Sequence, residues 1–408
     1  MSNWNKETRI DLLIKLVLLP ILPFFASVYS LLRINTRSSY LIIFISSLLF
    51  ALSFTLDNNL SEGFDAYHYR NEFYTHSYMS LYEFKLSFID YIEGLDPNKK
   101  DFYFDTLSFL TSRVTDNYHV LFVVIAIPFS YFALKSLRFL TSQKSYKFGL
   151  ISLILTYLFT INQIFNINGA RFWTTAWVAV YCLLQIYVSK NRRYYLLVLF
   201  LPIMHGSFFL FLILILIADL TKNRHTLWKA LFFLSAVIAG FSSLLIQYSS
   251  TVLDAYLPSV VKTYIDNYTS VENLERAELI SFLPNFFNNL IKMYIFIVIY
   301  LFIKNSKIIM ANPRTRDLYL FLLVLATFSF SFSTIPSLGG RYLNLAYPLI
   351  AYIWLETFKN DKYKIVIYAL PFIFSLQIYL QFFNYIAVFE PINLLLSPFY
   401  LIYKYIII

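Results

Sequence analysis

Apolar stretches long enough to cross a lipid bilayer recur along the whole chain, and they constrain its fold more than any other feature. A hydrocarbon core of about 30 Å requires roughly 20 apolar residues in an α-helix. Such stretches lie at 10–32, 39–56, 118–137, 148–166, 172–189, 194–219, 227–248, 287–303, 317–335, 342–358, 363–383 and 392–408. Because 59% of the 408 residues are hydrophobic and 14% are charged, a soluble globular protein is excluded. We predict an all-α polytopic membrane protein with about 11 to 13 transmembrane or re-entrant helices.

No repeat, low-complexity tract or flexible linker divides the chain, so residues 1–408 are predicted to form a single integral-membrane domain. The first residues, MSNWNKETRIDLLIKLVLLPILPFF, are basic and then apolar but lack a small-residue cleavage site, so we expect a retained membrane segment. The last stretch, 392–408, is expected to be embedded or interfacial. Cys182 lies in an apolar stretch and is expected to act as a small hydrophobe.

The signs of the charges differ between the long and the short loops. Of the 23 acidic residues, 16 lie in two long loops, 57–117 and 249–286. The short loops are basic: RINTR, RFLTSQKSYK, KNRR, KNR, KNSKIIMANPRTR and KNDKYK. Because lysine and arginine collect on the cytoplasmic side of membranes, we predict that the short loops are cytoplasmic and that both acidic loops lie outside.

One apolar stretch, 194–219, does not fit simple alternation, because basic loops flank it on both sides. We interpret it as a re-entrant hairpin broken at LPIMHGSFF, which would place His205 near the middle of the membrane. An ionisable side chain at that depth is a functional candidate. The alternative is a structural histidine that forms a hydrogen bond with a neighbouring helix.

Two arginines lie at the predicted outer starts of helices. Arg171 occurs in NINGARFWTT and Arg341 in SLGGRYLNLAYP, and each follows glycine, which permits close approach of the backbone to a ligand. Helix N-termini bind anions through free N–H groups, and arginine adds forked hydrogen bonds to phosphate. We interpret the pair as a candidate phosphate clamp. The alternative is that each arginine extends to the lipid headgroups or pairs with a loop carboxylate.

The first outer loop contains EGFDAYHYRNEFY, in which Asp65, Tyr69 and Phe73 recur at intervals of four residues. If this stretch is helical, the carboxylate and the tyrosine share one face. Carboxylates and aromatic rings together suit a sugar ligand, because rings cover apolar sugar faces and carboxylates bind hydroxyls or accept protons. Amphipathic helices are predicted at 103–114 and at 258–268. We expect both to pack within the protein, and the alternative is that they lie along the outer membrane surface.

The sequence contains no HExxH, Walker, GxSxG or GxGxxG motif and no histidine or cysteine cluster of metal-ligand spacing, so we expect no metal and no cofactor. The net charge of +10 comes from the basic loops facing anionic lipid, and nucleic acid is not an expected partner.

Four stretches of the sequence together resemble one family. They are GFDAYHYRNEFY, FYFDTLSFLTSRVTDNYHVLFVVIA, NGARFWTTAWVAVYCLLQIYVSKNRRYYLLVLFLPIMHGS and GGRYLNLAYP. This pattern is similar to that of the Wzy-type polymerases of bacterial surface polysaccharides, and within them to the EpsG-like branch. Its most specific part is an arginine at the outer start of one helix followed by histidine and a small residue, here Arg171 and His205.

The resemblance implies an inverting, metal-independent glycosyltransferase of the bacterial cytoplasmic (inner) membrane. Its partners would be polyprenyl diphosphate-linked oligosaccharides and membrane lipids, with a chain-length regulator as a further candidate partner. In this reading Arg171 and Arg341 bind the diphosphate, His205 or Asp65 is the base, and Tyr69 lines the acceptor site. The product would be O-antigen, capsule or exopolysaccharide.

Two other functions fit the same class of chain. A flippase or related transporter of lipid-linked oligosaccharides would also need cations for a diphosphate, but transporters more often contain internal repeats, which this sequence lacks. An O-antigen ligase, or a glycosyltransferase that uses a monophosphate carrier, is the second alternative.

Overall fold

The computed structural model describes residues 7–56, 61–95, 99, 101–141, 149–160, 164–239, 241, 282–334, 338–358 and 363–407. Within these residues the chain forms helices and no β-sheet, with one isolated antiparallel bridge between Phe54 and Phe389. The all-α prediction is therefore confirmed for the described part of the chain. The expected helix at 258–268 and most of the second acidic loop lie outside the described residues.

The α-helices, numbered along the chain, are α1 Arg9–Ile21, α2 Pro23–Leu32, α3 Arg37–Leu52, α4 Asp65–Tyr78, α5 Leu81–Glu93, α6 Tyr103–Ser112, α7 Tyr118–Thr141, α8 Leu150–Phe159, α9 Ala170–Leu183, α10 Tyr194–Leu199, α11 Leu201–Met204, α12 Phe208–Leu220, α13 His225–Ala239, α14 Phe282–Lys304, α15 Ser306–Ala311, α16 Pro313–Ser331, α17 Gly339–Phe358, α18 Lys364–Tyr385 and α19 Pro398–Ile402. Short 3₁₀ segments cover Ile164–Gly169 and Pro391–Leu395, and π-helical turns cover Leu184–Val188 and Tyr403–Ile407.

Four helical stretches of the described residues are long and apolar enough to cross a membrane: Tyr118–Thr141, Leu150–Val188, Phe286–Lys304 and Lys364–Tyr385. Five shorter apolar helices accompany them, among them α2, α3 and α13. The chain is thus a helical membrane protein, and the count of 11 to 13 membrane segments stays a prediction.

The first apolar stretch, 10–32, is not one helix. Leu22 leaves the helical conformation, with φ −140° and ψ 77°, and α2 begins at Pro23. The Asp11 carboxylate on α1 accepts a hydrogen bond of 2.6 Å from the Tyr29 hydroxyl on α2, so the two helices run antiparallel. Apolar length alone predicts a crossing here, whereas the backbone turns back.

Described residues in or next to three of the predicted cytoplasmic loops, KNRR, KNR and KNSKIIMANPRTR, meet at one end of the helix bundle. Lys190 forms an ion pair of 2.7 Å with Asp317, and Lys229 donates a hydrogen bond of 2.7 Å to Ser306. At the opposite end, the Thr55 amide donates to the Val388 carbonyl at 2.9 Å. The structure therefore has a basic end and an opposite end, and the assignment of the basic end to the cytoplasm stays a prediction.

The stretch 194–219 returns to the end at which it begins. The Tyr195 hydroxyl at the start of α10 donates to the Asp219 carboxylate at the end of α12 over 2.6 Å. Tyr187, at the basic end of the segment that follows α9, also reaches Asp219 at 3.3 Å. The two arms are therefore antiparallel, as the hairpin interpretation predicts, with His205 at the tip.

The first outer loop folds into α4, α5 and α6. The predicted amphipathic helix at 103–114 corresponds to α6, which packs inside this layer with Phe104 and Phe109 buried. It is α5 that exposes a large apolar face, including Leu81, Tyr82 and Ile92. The amphipathic helix of this loop that fits a membrane surface is thus α5.

Candidate functional site

Phe172, in the first turn of α9, is the point on which the candidate residues converge. The guanidinium carbon of Arg341 lies 5.4 Å from the centroid of the Phe172 ring. The imidazole of His205 packs edge-on against the same ring, with 5.3 Å between centroids. Arg171 is the preceding residue of the chain. The starts of α9 and α17 and the tip of the hairpin therefore meet at one place.

Arg171 is held by side chains of the first outer loop. Its Nε donates to the Tyr69 hydroxyl at 3.3 Å, and its guanidinium carbon lies 5.5 Å from the Tyr69 ring centroid. Its Nη1 lies 3.5 Å from a carboxylate oxygen of Asp101. Because the side chain remains 37% exposed, it can still reach a ligand while these contacts fix its direction.

Asp65 also lies beside the start of α9. The Ala66 amide donates to the Asn168 side-chain oxygen at 2.9 Å, so the segment before α9 caps the first turn of α4. A Cβ placed on Gly169 would lie 3.6 Å from Asp65 Oδ2 and 2.8 Å from Cδ1 of Trp173. Asp65 itself is exposed. An accessible carboxylate and an indole ring thus border the N-terminus of α9.

His205 is the last residue of the first hairpin arm and has extended backbone angles, φ −158° and ψ 115°. Ser207 faces its Nδ1 atom with both the hydroxyl, at 2.8 Å, and the backbone N–H, at 3.3 Å. Because an N–H donates to Nδ1, the neutral ring carries its proton on Nε2. The ring contacts Phe172 in the first turn of α9, and its depth in the membrane stays a prediction.

The three glycines before the arginines have different surroundings: Gly340 has no atom within 4 Å of an added Cβ, whereas Gly169 and Gly339 closely approach protein atoms. A Cβ on Gly339 would lie 2.5 Å from the carbonyl oxygens of Ser329 and Phe332, so this glycine allows α17 to pack against the end of α16. Gly169 faces the Trp173 side chain. The approach of the backbone to a ligand at Gly340, the residue before Arg341, stays a prediction.

Sequence reasoning did not find Asp101, which is 3% exposed and completes the surroundings of Arg171. Burial raises the pKa of its carboxyl to about 7, against the opposing effect of Arg171. The neighbouring Phe102 amide donates to the Ile203 carbonyl of the hairpin at 3.0 Å. The one local feature that could have identified Asp101 from the sequence is its position as an acidic residue at the start of the aromatic sequence DFYF.

A polar cluster supports this side of the site. His76 on α4 contacts Ser108 Oγ through Nδ1 at 2.8 Å and Asp105 through Nε2 at 3.4 Å, and Lys99 pairs with Asp105 at 3.0 Å. Burial acts to raise the pKa of Asp105, but His76 and Lys99 outweigh it and hold that pKa below its usual range. Ser108 is fully buried, so the cluster joins α4 to α6 and offers no exposed nucleophile.

The stretch is helical, as α4, and Tyr69 and Phe73 are buried on its inner face, whereas Asp65, its first residue, is exposed. The Tyr69 ring stacks on Phe104 with 4.3 Å between centroids. One face of the ring is therefore covered by Phe104, and Tyr69 meets Arg171 through its hydroxyl and through its ring. Burial raises the Tyr69 pKa, so the hydroxyl stays protonated.

The site thus combines two guanidinium groups at helix starts, an imidazole N–H and an exposed carboxylate, all at the end opposite the basic loops. Within the described residues no group of three or more His, Cys, Asp or Glu side chains is placed to hold a metal ion. Such an arrangement can bind an oxyanion between cations and place a proton acceptor beside it. The fold and these residues thus define the class of the protein: it is a helical membrane protein with a candidate cationic site at the bundle end opposite its basic loops.

The chain belongs to the EpsG family, whose model matches residues 40–399. It is therefore a membrane protein of the polysaccharide polymerase type, and the resemblance noted in the sequence is confirmed. The match contains every element of the site, from α4 to α17. No curated protein and no solved structure matches the chain.

Proposed function

We propose that the protein polymerises lipid-linked oligosaccharide repeat units on the outer face of the bacterial cytoplasmic membrane. It transfers the glycan from one polyprenyl diphosphate carrier to the terminal sugar of another. The observation that carries this proposal is the convergence of Arg171, Arg341 and His205 on Phe172, beside the exposed Asp65. Family membership supports the same reaction class.

The two arginines bind the diphosphate of the donor. During transfer, the bond between the anomeric carbon and the diphosphate oxygen breaks, and the diphosphate keeps the electron pair. The acceptor hydroxyl oxygen forms the new bond to that carbon from the opposite face, so the configuration inverts. Cationic donors fixed at helix starts stabilise the negative charge that develops on the departing group, which is the part a metal ion plays in other enzymes.

Asp65 accepts the proton of the acceptor hydroxyl. Of the two candidate bases, His205 has its Nδ1 lone pair engaged by Ser207, and its Nε2 carries a proton. The Nε2–H group is therefore better suited to donate a hydrogen bond to the departing diphosphate. The Asp65 carboxylate is exposed and lies next to the start of α9, so it can contact a sugar hydroxyl.

The acceptor sugar lies against Trp173, whose indole is half buried beside Gly169 and Asp65. An aromatic face covers the apolar side of a sugar ring, and the carboxylate binds its hydroxyls. Tyr69 then contributes through Arg171, because its ring is only 2% exposed and its hydroxyl accepts the Arg171 Nε–H.

Deletion of the gene in its native host tests the proposal. A polymerase defect leaves single repeat units on the surface glycan and removes the ladder of longer chains on a gel. Loss of all surface glycan, including the single units, would identify a flippase and contradict the proposal. A deletion with an unchanged ladder would contradict it as well.

The variant Arg341→Lys tests the clamp itself. An ammonium group keeps the charge but cannot form the two parallel hydrogen bonds of a guanidinium, so most polymer should be lost. Removal of one such contact to a developing anion costs about 3 kcal/mol, or on the order of a hundredfold in rate. Arg113→Lys is the matched control, because Arg113 donates to the His76 and Ser77 carbonyls away from Phe172. A normal ladder from Arg341→Lys at normal protein level would exclude the clamp.

A further inference from the structure

A cavity of about 660 Å³ lies between α2, α3, α7, α8, α9 and α18. Its inner wall consists of closely packed side chains such as Phe129, Leu137 and Trp177, each no more than 4% exposed. Lining residues at its mouth, such as Tyr157 and Tyr379, are about half exposed. The cavity is thus a cleft that opens sideways from the bundle, towards the hydrocarbon of the membrane.

We propose that this cleft binds the isoprenoid chain of the lipid carrier, an inference that rests on the proposed function. The volume falls in the range of small-molecule sites, roughly 300 to 1,000 Å³. Two hydroxyl groups of the lining are satisfied within their own helix: Ser47 donates to Ile43 and Ser53 to Phe50, each at 2.7 Å. Most other lining side chains are aliphatic or aromatic, such as Leu31, Ile43 and Phe382, and a largely apolar lining suits a hydrocarbon ligand.

The cleft runs along most of the height of the bundle. Leu32 and Leu137 line it towards the basic end, close to the RINTR loop that follows α2. Phe50 and Phe382 line it towards the opposite end, near the last turns of α3 and α18. A long hydrocarbon chain that lies roughly parallel to the helices therefore fits its shape.

The cleft and the candidate site share a wall. Phe165, which lines the cleft, stacks on Tyr385 with 5.5 Å between ring centroids and 20° between planes. The Tyr385 hydroxyl contacts Asn168, and the charges of Asp65 and Arg341 both act on it. One layer of aromatic side chains thus separates the apolar cleft from the charged groups that would hold the diphosphate. A lipid carrier whose diphosphate lies in the candidate site can therefore extend its isoprenoid chain past these aromatic side chains into the cleft.

Photo-crosslinking tests the occupant directly. The probe is a polyprenyl phosphate with a diazirine within the hydrocarbon chain, added to the full-length protein in phosphatidylcholine vesicles. We expect labelled peptides from α2 and α7. Excess unlabelled polyprenyl phosphate should reduce this labelling roughly tenfold or more, and excess phosphatidylglycerol should leave it unchanged. Equal displacement by the phospholipid would identify an ordinary bilayer-lipid site and overturn the inference.

Two variants narrow the cleft from different walls: Ser27→Phe on α2 and Ser130→Leu on α7. Each should lower labelling about tenfold. The control, Ile127→Phe, adds bulk on α7 at an exposed position outside the cleft lining and should label normally. Normal labelling of both cleft variants would overturn the inference.

Polymer synthesis by the same preparations separates this inference from the proposed function. Labelling in the cleft by a protein that makes no polymer would support the lipid site and count against the polymerase. Polymer synthesis combined with labelling confined to other helices would overturn the lipid site and leave the polymerase in place.

Discussion

Asp101→Asn should stabilise the protein at alkaline pH, although it removes an ion pair. Asp101 is buried, and burial raises the pKa of its carboxyl from 3.8 to about 7 in the folded protein. The folded state therefore binds this proton more tightly than the unfolded state. The contribution of the protonated Asp101 carboxyl to the free energy of unfolding is fully present below about pH 4 and is lost as the pH rises to about 7.

The size of the effect follows from that difference in pKa. A rise from 3.8 to about 7 corresponds to roughly 4 kcal/mol between the neutral and the ionised carboxyl. Asparagine has nearly the same shape and stays neutral, so the variant should avoid this cost. We expect the two proteins to unfold at similar temperatures near pH 4 and the variant to unfold several degrees higher at pH 8. The measurement is thermal unfolding in detergent, followed by tryptophan fluorescence across this pH range.

Asp105→Asn is the matched control because its pKa is shifted the other way. Burial acts to raise the pKa of Asp105, but contacts with His76 and Lys99 prevail and lower it. This substitution should destabilise the protein at pH 8 and have less effect as the carboxyl becomes protonated in acid. If Asp101→Asn lowered the unfolding temperature at pH 8 as Asp105→Asn does, Arg171 would outweigh burial and the reasoning would be refuted.

Three further predictions concern the site and its supports. Tyr69→Phe removes the hydroxyl that accepts a hydrogen bond from the Arg171 guanidinium but keeps the buried ring. Loss of one hydrogen bond costs about 1 kcal/mol, so polymer yield should fall roughly fivefold with little change in unfolding temperature. Gly339→Ala should lower the free energy of unfolding by about 1 to 3 kcal/mol in the same assay, because its Cβ would meet two carbonyl oxygens. Gly340→Ala is the control and should leave the free energy of unfolding unchanged, because its Cβ would have no atom within 4 Å. Single cysteines at Asn191→Cys and Asn223→Cys, in a chain whose native cysteine is replaced, should both resist an impermeant thiol reagent added outside; labelling at 223 alone would show a full crossing.

Helix positions followed from the sequence because apolar length is a local property. The starts of α9 and α17, one residue and two residues before their arginines, lie where the sequence predicts. Apolar length alone favours a single membrane crossing over residues 10–32, so the sequence does not predict the turn between α1 and α2. Proline does not resolve such cases: Pro128 and Pro348 lie inside helices that continue, whereas α2 begins at Pro23.

The partners of Arg171 could not be predicted, because they depend on the folding of a long loop. Tyr69 was singled out by its helical spacing from Asp65, but that spacing does not say which atom faces the site. Asp101 lies 70 residues before Arg171 and has no motif around it, so only the packing of α6 against α9 and α11 brings it there. Long-range contacts of this kind set the electrostatics of the site.

The two arginines differ in how their charges are balanced by neighbouring side chains. Arg171 is paired with the Asp101 carboxylate, whereas no described carboxylate forms an ion pair with Arg341, whose described contact is the Phe172 ring. In the proposed clamp, a diphosphate would therefore meet a cation without a described carboxylate partner at Arg341 and a paired one at Arg171. Because burial raises the pKa of Asp101 to about 7, this carboxyl would take up a proton as the diphosphate approaches and would release Arg171 to the ligand. The ion pair between Arg171 and Asp101 is thus the contact that diphosphate binding would weaken in the proposed clamp.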